Sequence, residues 1–308
     1  MTRRLVCLAM TASLLLLVAQ PARAGGVDPI ITGSAYQAAG SSNGTMMTWF
    51  QNHTDRPRNY SAYASPVGDT SDPVKLNVAG TRGFSGGFEP GTNTVIYQQA
   101  SGDRSNLFLY DLDTSARTRL PETVNSDRWE YDGRISQAFV LFVRAARTQD
   151  RLLLWDRAGD TLTELDTATP GESVIFAGVV GERYATWTRC TRRTCLAMYH
   201  DTATDETRRV PQVPGNLQYA PAIDEGTAQI FYVRSGFGCG VNVRIFRAPL
   251  ADTNSRTLLT TLPDGVDTDW TQYVVADLET KGELDLWFGR FRCRADDMDV
   301  YALRSVQA

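Results

Sequence analysis

Short apolar runs recur along the chain at a nearly constant interval, separated by polar stretches rich in Gly and Asp. Met47-Thr48-Trp49-Phe50 is followed by Val95-Ile96-Tyr97, Leu141-Phe142-Val143, Thr186-Trp187, Ile230-Phe231-Tyr232 and Leu286-Trp287-Phe288. From Phe50 the steps to Tyr97, Phe142, Trp187, Tyr232 and Trp287 are 47, 45, 45, 45 and 55 residues. A second series ends in Tyr63, Tyr110, Trp155, Tyr199, Phe246 and Tyr301, with steps of 47, 45, 44, 47 and 55. Two independent series with one period define a structural repeat.

Each unit reads as four short strands. Runs such as Leu107-Phe108-Leu109-Tyr110 and Leu152-Leu153-Leu154-Trp155 are followed by polar turns, Asp111 to Ser115 and Asp156 to Asp160. Asp and Gly suit such turns because they cap locally or accept positive φ. A further strand precedes the first series, as in Tyr219 to Ile223. No apolar spacing of period 3.6 marks a helix after residue 24. Four strands per repeat of this length describe a propeller blade. The expectation is therefore an all-β, six-bladed β-propeller of four-stranded antiparallel blades. Too few residues follow Tyr301 for a fourth strand in the sixth repeat. Val27 to Thr32 is spare and is expected to pair with Asp297 to Leu303, closing the ring and covering an open edge.

Units such as Gly87-Phe88-Glu89-Pro90-Gly91-Thr92-Asn93-Thr94-Val95-Ile96-Tyr97, followed by Asn106-Leu107-Phe108-Leu109-Tyr110-Asp111, resemble the repeats of the TolB-type six-bladed propeller family, relatives of WD-like repeats. Glu89-Pro90-Gly91 stands where that family has Pro-Asp-Gly. The resemblance implies the propeller fold over nearly the whole chain after the leader. The α/β domain that precedes the propeller in that family is not expected here.

Residues 1–24 read as a cleaved signal peptide: Arg3 and Arg4, an apolar run from Leu5 to Ala19, then Ala22-Arg23-Ala24. Residues 25–308 are then one exported domain, secreted or periplasmic, with no membrane span after cleavage. Four cysteines remain, Cys190, Cys195, Cys239 and Cys293, an even number that reads as two disulfides in an oxidising compartment. Cys190 and Cys195 flank a hairpin turn. Cys239 and Cys293 occupy equivalent loops of adjacent repeats. This predicts Cys190–Cys195 and Cys239–Cys293.

The chain carries 31 Lys+Arg against 35 Asp+Glu, a net charge of −4. That balance excludes a basic nucleic-acid binder. Only His53 and His200 are present, so a His-rich metal site is not expected, and His200 reads as a turn residue. The G-x-S-x-G match at Gly83 to Gly87 lacks the following helix of a nucleophile elbow and reads as a Gly-rich loop between blades. No cofactor is implied. Calcium is the one metal that clustered carboxylates would suit, with Asp267 and Asp269 as ligands; solvated turns are the plainer reading of these and of Asp296, Asp297 and Asp299.

The densest mix of aromatic and charged residues is Asn125 to Tyr131, between the second and third repeats. Asp127, Arg128, Trp129 and Glu130, with Tyr219 and Trp270 at comparable places, are the candidate ligand contacts on the channel rim. The expected function is a non-catalytic propeller that binds a protein, peptide or glycan partner of the cell envelope. The alternatives are an enzyme at the channel mouth, such as a calcium-dependent lactonase or a polysaccharide lyase, or a peptidase-type propeller without its hydrolase domain.

Overall fold

A computed structural model describes residues 27–32, 36–53, 56–268, 275–278, 283–293 and 298–307. The expected leader and Asp269, Trp270, Asp296 and Asp297 lie outside the described residues. The described residues are all β, without a helix. The strands are β1 (Val27–Ile31), β2 (Gln37–Ser42), β3 (Met46–His53), β4 (Arg56–Pro66) and β5 (Val74–Lys75). Next come β6 (Arg82–Phe88), β7 (Thr94–Ser101), β8 (Arg104–Asp111), β9 (Ala116–Arg119), β10 (Trp129–Ile135), β11 (Phe139–Ala145), β12 (Asp150–Asp156) and β13 (Thr161–Ala168). Then follow β14 (Ser173–Val180), β15 (Tyr184–Thr191), β16 (Cys195–Asp201), β17 (Glu206–Arg209), β18 (Leu217–Asp224), β19 (Gln229–Ser235), β20 (Arg244–Pro249) and β21 (Thr257–Thr261). The last are β22 (Val266–Thr268), β23 (Val275–Leu278), β24 (Glu283–Arg292) and β25 (Met298–Gln307).

The arrangement is a β-propeller. Three repeats form separate four-stranded antiparallel sheets, β2 to β5, β14 to β17 and β18 to β21. The division departs from the six separate sheets that the repeat predicts. Two repeats share one eight-stranded sheet, because a single parallel pair, Trp129 with Ser105, joins β10 to β8. The sheet that holds the chain ends is irregular: β22 and β23 both pair with β24, and β1 pairs antiparallel with β25, from Val27 opposite Leu303 to Ile31 opposite Val300. The pairing expected between the two ends is formed.

The first strands of five repeats carry a shared device. Register slips at Ala39/Ser41 in β2, Ser85/Phe88 in β6, Tyr131/Arg134 in β10, Ala177/Val180 in β14 and Tyr219/Ala222 in β18. In each, the bulged strand has one residue more than its partner, which bends the strand and increases its twist. The residues there suit it. Asp132 and Ala220 have φ of 58° and 50°, and Gly86, Gly133 and Gly178 remove the Cβ. A Cβ on Gly86 would fall 2.5 Å from the carbonyl oxygens of both Gly133 and Ile96, so only glycine lets β6 approach β10 this closely.

Backbone groups released by the bulges are met from neighbouring strands. The Asp132 carboxylate accepts from Ala177 N at 2.7 Å. Thr186 Oγ1 accepts from Val179 N at 2.7 Å and donates to Pro221 O at 2.8 Å. Thr188 Oγ1 accepts from Ala220 N at 2.9 Å. Strands β2, β6, β10, β14, β18 and β23 each contact the next in that order, and β23 contacts β2.

The core lies between sheets. Leu141, Val143, Leu152 and Leu154 pack against Ile175, Ala177 and Trp187, while Tyr199 and Val210 pack against Ile230, Tyr232 and Phe246. The polar hairpins form as the sequence predicts: Asp111 accepts from the amides of Asp113 and Thr114, and Asp156 from those of Ala158 and Gly159. His200 departs from its turn reading. It lies buried within β16, with Nδ1 3.1 Å from Thr207 Oγ1, and burial pushes its imidazole below the ordinary pKa.

Candidate functional site

Side chains alternate across a strand, so Trp129 and Tyr131 stand on one face of β10 and Glu130 on the other. On the first face lies a pocket of about 340 Å3. Five aromatic rings line it: Phe50, Phe84, Trp129, Tyr131 and Phe176. Its polar lining is Ser85 and Gln98 with the Asp132–Arg134 pair, whose carboxylate and guanidinium are 3.1 Å apart and nearly buried. The bulge in β10 turns Asp132 and Gly133 into this lining, and the bulge in β6 does the same for Gly86.

At the pocket wall the Arg82 guanidinium lies 5.4 Å from the centre of the Trp129 ring, an attractive cation–π distance. Phe50 and Phe84 meet edge to face at 5.3 Å. Ser85 Oγ is buried and makes no hydrogen bond. Ser85 belongs to the G-x-S-x-G match, which is strand β6 itself rather than the expected loop, and strand β7 follows it. Burial, followed by the Asp150 and Asp132 charges, holds the Tyr131 hydroxyl far above its ordinary pKa, so it remains a neutral donor.

The predicted rim residues fall into three groups. Trp129 is a pocket wall. Asp127 and Arg128 are exposed, 3.5 Å apart in a solvated ion pair. Glu130 is completely buried: Oε1 accepts from Ser126 Oγ at 2.6 Å and from Arg144 Nε at 2.9 Å. Arg144 also donates to Thr123 O and Val124 O. Glu130 is therefore a strut between the connecting loop and β11. Asn125 plays a similar part, donating to Leu107 O and Leu120 O and accepting from Leu107 N.

Tyr219 is a correction. It is fully buried, and its hydroxyl donates to Asp267 Oδ1 at 2.7 Å. By bulge position it is equivalent to Tyr131, not to Trp129. Asp267, considered above as a calcium ligand, is 1% exposed and already occupied: Oδ1 also accepts from Thr268 N at 2.8 Å and Oδ2 from Gly240 N at 2.9 Å. A carboxylate with three such donors needs no cation. Among the described residues no three His, Cys, Asp or Glu side chains are grouped to hold a metal. Gly240 adjoins Cys239, and both expected disulfides are formed, Cys190–Cys195 and Cys239–Cys293.

The pocket residues that sequence reasoning missed are Phe50, Phe84, Ser85, Tyr131, Arg134 and Phe176. The available signal was the Gly pair at Gly86-Gly87 and the Asp-Gly pair at Asp132-Gly133, which mark bulges where inner strands turn side chains toward a shared space.

No family model matches the chain, and no curated protein matches it. Solved structures do. TolB from Acinetobacter baumannii is 12% identical with a TM-score of 0.53, covering 90% of this chain and 66% of its own. An oligogalacturonate lyase solved in complex with manganese is 12% identical with a TM-score of 0.52, covering 92% and 98%. A prolyl endopeptidase gives 12% and 0.52, covering 85% of this chain and 40% of its own. The chain thus spans under two thirds of the TolB and less than half of the peptidase. These likenesses establish the propeller fold.

Proposed function

We propose that this chain is an exported binding scaffold, a six-bladed propeller closed by β1, which takes a peptide segment of a partner protein in the aromatic pocket between β3, β6, β10 and β14. The observation that carries the reading is the pocket itself. It has the size of one or two side chains, walls of five rings, and in its lining Ser85, whose buried hydroxyl makes no hydrogen bond within the protein. Such sites bind through rigid apolar anchors fixed by a few polar groups. A glycan is the other partner class with which aromatic walls agree. Six repeats in the sequence and the circular order of contacts among the inner strands support the six-bladed ring, and the β1–β25 pair supports its closure. Two disulfides support a periplasmic or extracellular location.

The test is a peptide array and an oligosaccharide array probed with the wild type and with Trp129→Ala. Peptide hits that carry a shared apolar residue and vanish in the variant are expected. Glycan hits alone would move the reading to the second partner class. Hits indifferent to Trp129, or turnover of an oligosaccharide instead of retention, would reject the pocket as a peptide-binding site.

A further inference from the structure

Far from the pocket along the chain, one sheet face gathers positive charge without acidic compensation. Arg234 on β19 stands directly opposite Arg244 on β20. Like charges facing each other across a strand pair are destabilising, and sequences ordinarily place an acid there. Among the described residues, neither Arg234, Arg244 nor Arg256 has a carboxylate within ion-pair distance. Two residues before Arg234 and two after Arg244, Tyr232 pairs with Phe246, so all four side chains share a face. The Tyr232 and Phe246 rings stack at 5.8 Å, and the Arg234 guanidinium lies 5.7 Å from the centre of the Phe246 ring. That aromatic floor holds Arg234 half-buried while Arg244 is exposed.

Arg256, just before β21, adds a third charge. It acts on the buried Tyr232 hydroxyl and on Arg234. Burial first, and then the Arg256 and Arg244 charges, lower the Arg234 guanidinium from its ordinary value. The protein thus places three guanidinium groups near one another with no carboxylate among the described residues in ion-pair distance, Arg234 being eased only by the Phe246 and Tyr232 rings beneath it. Each carries a planar fork of donors suited to oxyanions. A tetrahedral anion presents several oxygens in different directions and suits donors that converge from separate strands.

We propose that Arg234, Arg244 and Arg256, on the Tyr232–Phe246 floor, form a binding site for a phosphate or sulfate group, separate from the aromatic pocket. The group would come either from the free inorganic anion or from an ester on a larger molecule.

Calorimetric titration of the oxidised protein with inorganic phosphate, inorganic sulfate and a sulfated disaccharide, against chloride and acetate at matched ionic strength, tests this. Saturable binding of one tetrahedral anion per chain is expected, with a rise in Tm that chloride does not give. Tighter binding of the sulfated disaccharide than of sulfate would assign the ester as the source, and equal binding the free anion. Arg244→Gln is exposed and should keep the fold. It should weaken the anion about tenfold and raise the Tm in anion-free buffer, because it removes the opposed charge. Arg234→Lys keeps the charge but loses the fork and should weaken binding while leaving the pocket's array hits intact. Equal response to phosphate and chloride, or binding unchanged in a folded Arg244→Gln, would overturn the proposal without touching the peptide-pocket reading.

Discussion

Strands β10 and β18 begin alike, Trp129-Glu130-Tyr131 against Leu217-Gln218-Tyr219, and both bulge immediately after the tyrosine. In each, the middle residue is a completely buried polar group tied to a neighbouring loop, Glu130 to Ser126 and Gln218 to Pro211 O. Their surroundings then diverge. Tyr131 borders a pocket of about 340 Å3, whereas Tyr219 is fully buried and bonded to Asp267, which in turn accepts from Gly240, the residue after Cys239 of the Cys239–Cys293 bridge. One backbone device therefore serves two ends. What decides between an open and a closed site is the neighbouring strands: around β10 they supply aromatic rings with space between them, and around β18 they supply the Asp267 carboxylate, already held by three donors.

The comparison is sharpest at the disulfides. Replacing both Cys239 and Cys293 by Ser frees a span of 54 residues and should lower unfolding stability by about 4 kcal/mol, against about 2 kcal/mol for the pair Cys190 and Cys195. Denaturant titration of the two double variants reads this directly; equal losses would mean that the sealed corner does not depend on its cross-link. A smaller effect separates the two tyrosine surroundings. Asp267→Ala removes the acceptor shared by the Tyr219 hydroxyl and the Gly240 and Thr268 amides, at about 3 kcal/mol. Trp129→Ala loses the Arg82 contact and part of a pocket wall, at about 1 kcal/mol. If melting curves rank them in the opposite order, the pocket is a core element and not a site.

The smallest effect concerns His200, which neither region contains. Its folded pKa lies below the ordinary imidazole value of 6.5, so protonation favours the unfolded chain. The stability it contributes is full above pH 6.5 and declines as pH falls from there through the folded value. His200→Gln should flatten the stability profile in that window, and an unchanged slope would show that other groups set it.

The fold was legible because the period survives even where individual motifs are degraded. The disulfide pairing was legible because two cysteines held equivalent loop positions in neighbouring repeats. The site was less legible. Tyr131 stands opposite Val143, twelve residues on, and Tyr219 opposite Val233, fourteen residues on, so the longer β18–β19 hairpin placed Tyr219 beside Trp129 in the count from repeat to repeat when its true counterpart is Tyr131. Glu130 looked like a surface acid because its partner Arg144 lies 14 residues away on β11 and only the strand register brings them together. The pocket aromatics Phe50 and Phe176 come from separate repeats, and nothing local distinguishes them from core residues.

The pairing of β1 with β25 has a consequence in time. Val27 to Ile31 must wait for Val300 to Leu303, so this sheet is completed only after every repeat between them has been made. The earlier repeats form from contacts close in sequence, and the final step joins segments separated by nearly the entire chain, the kind of contact that folds most slowly. Until then β1 has no strand partner, and one late pairing ties the first described strand to the last.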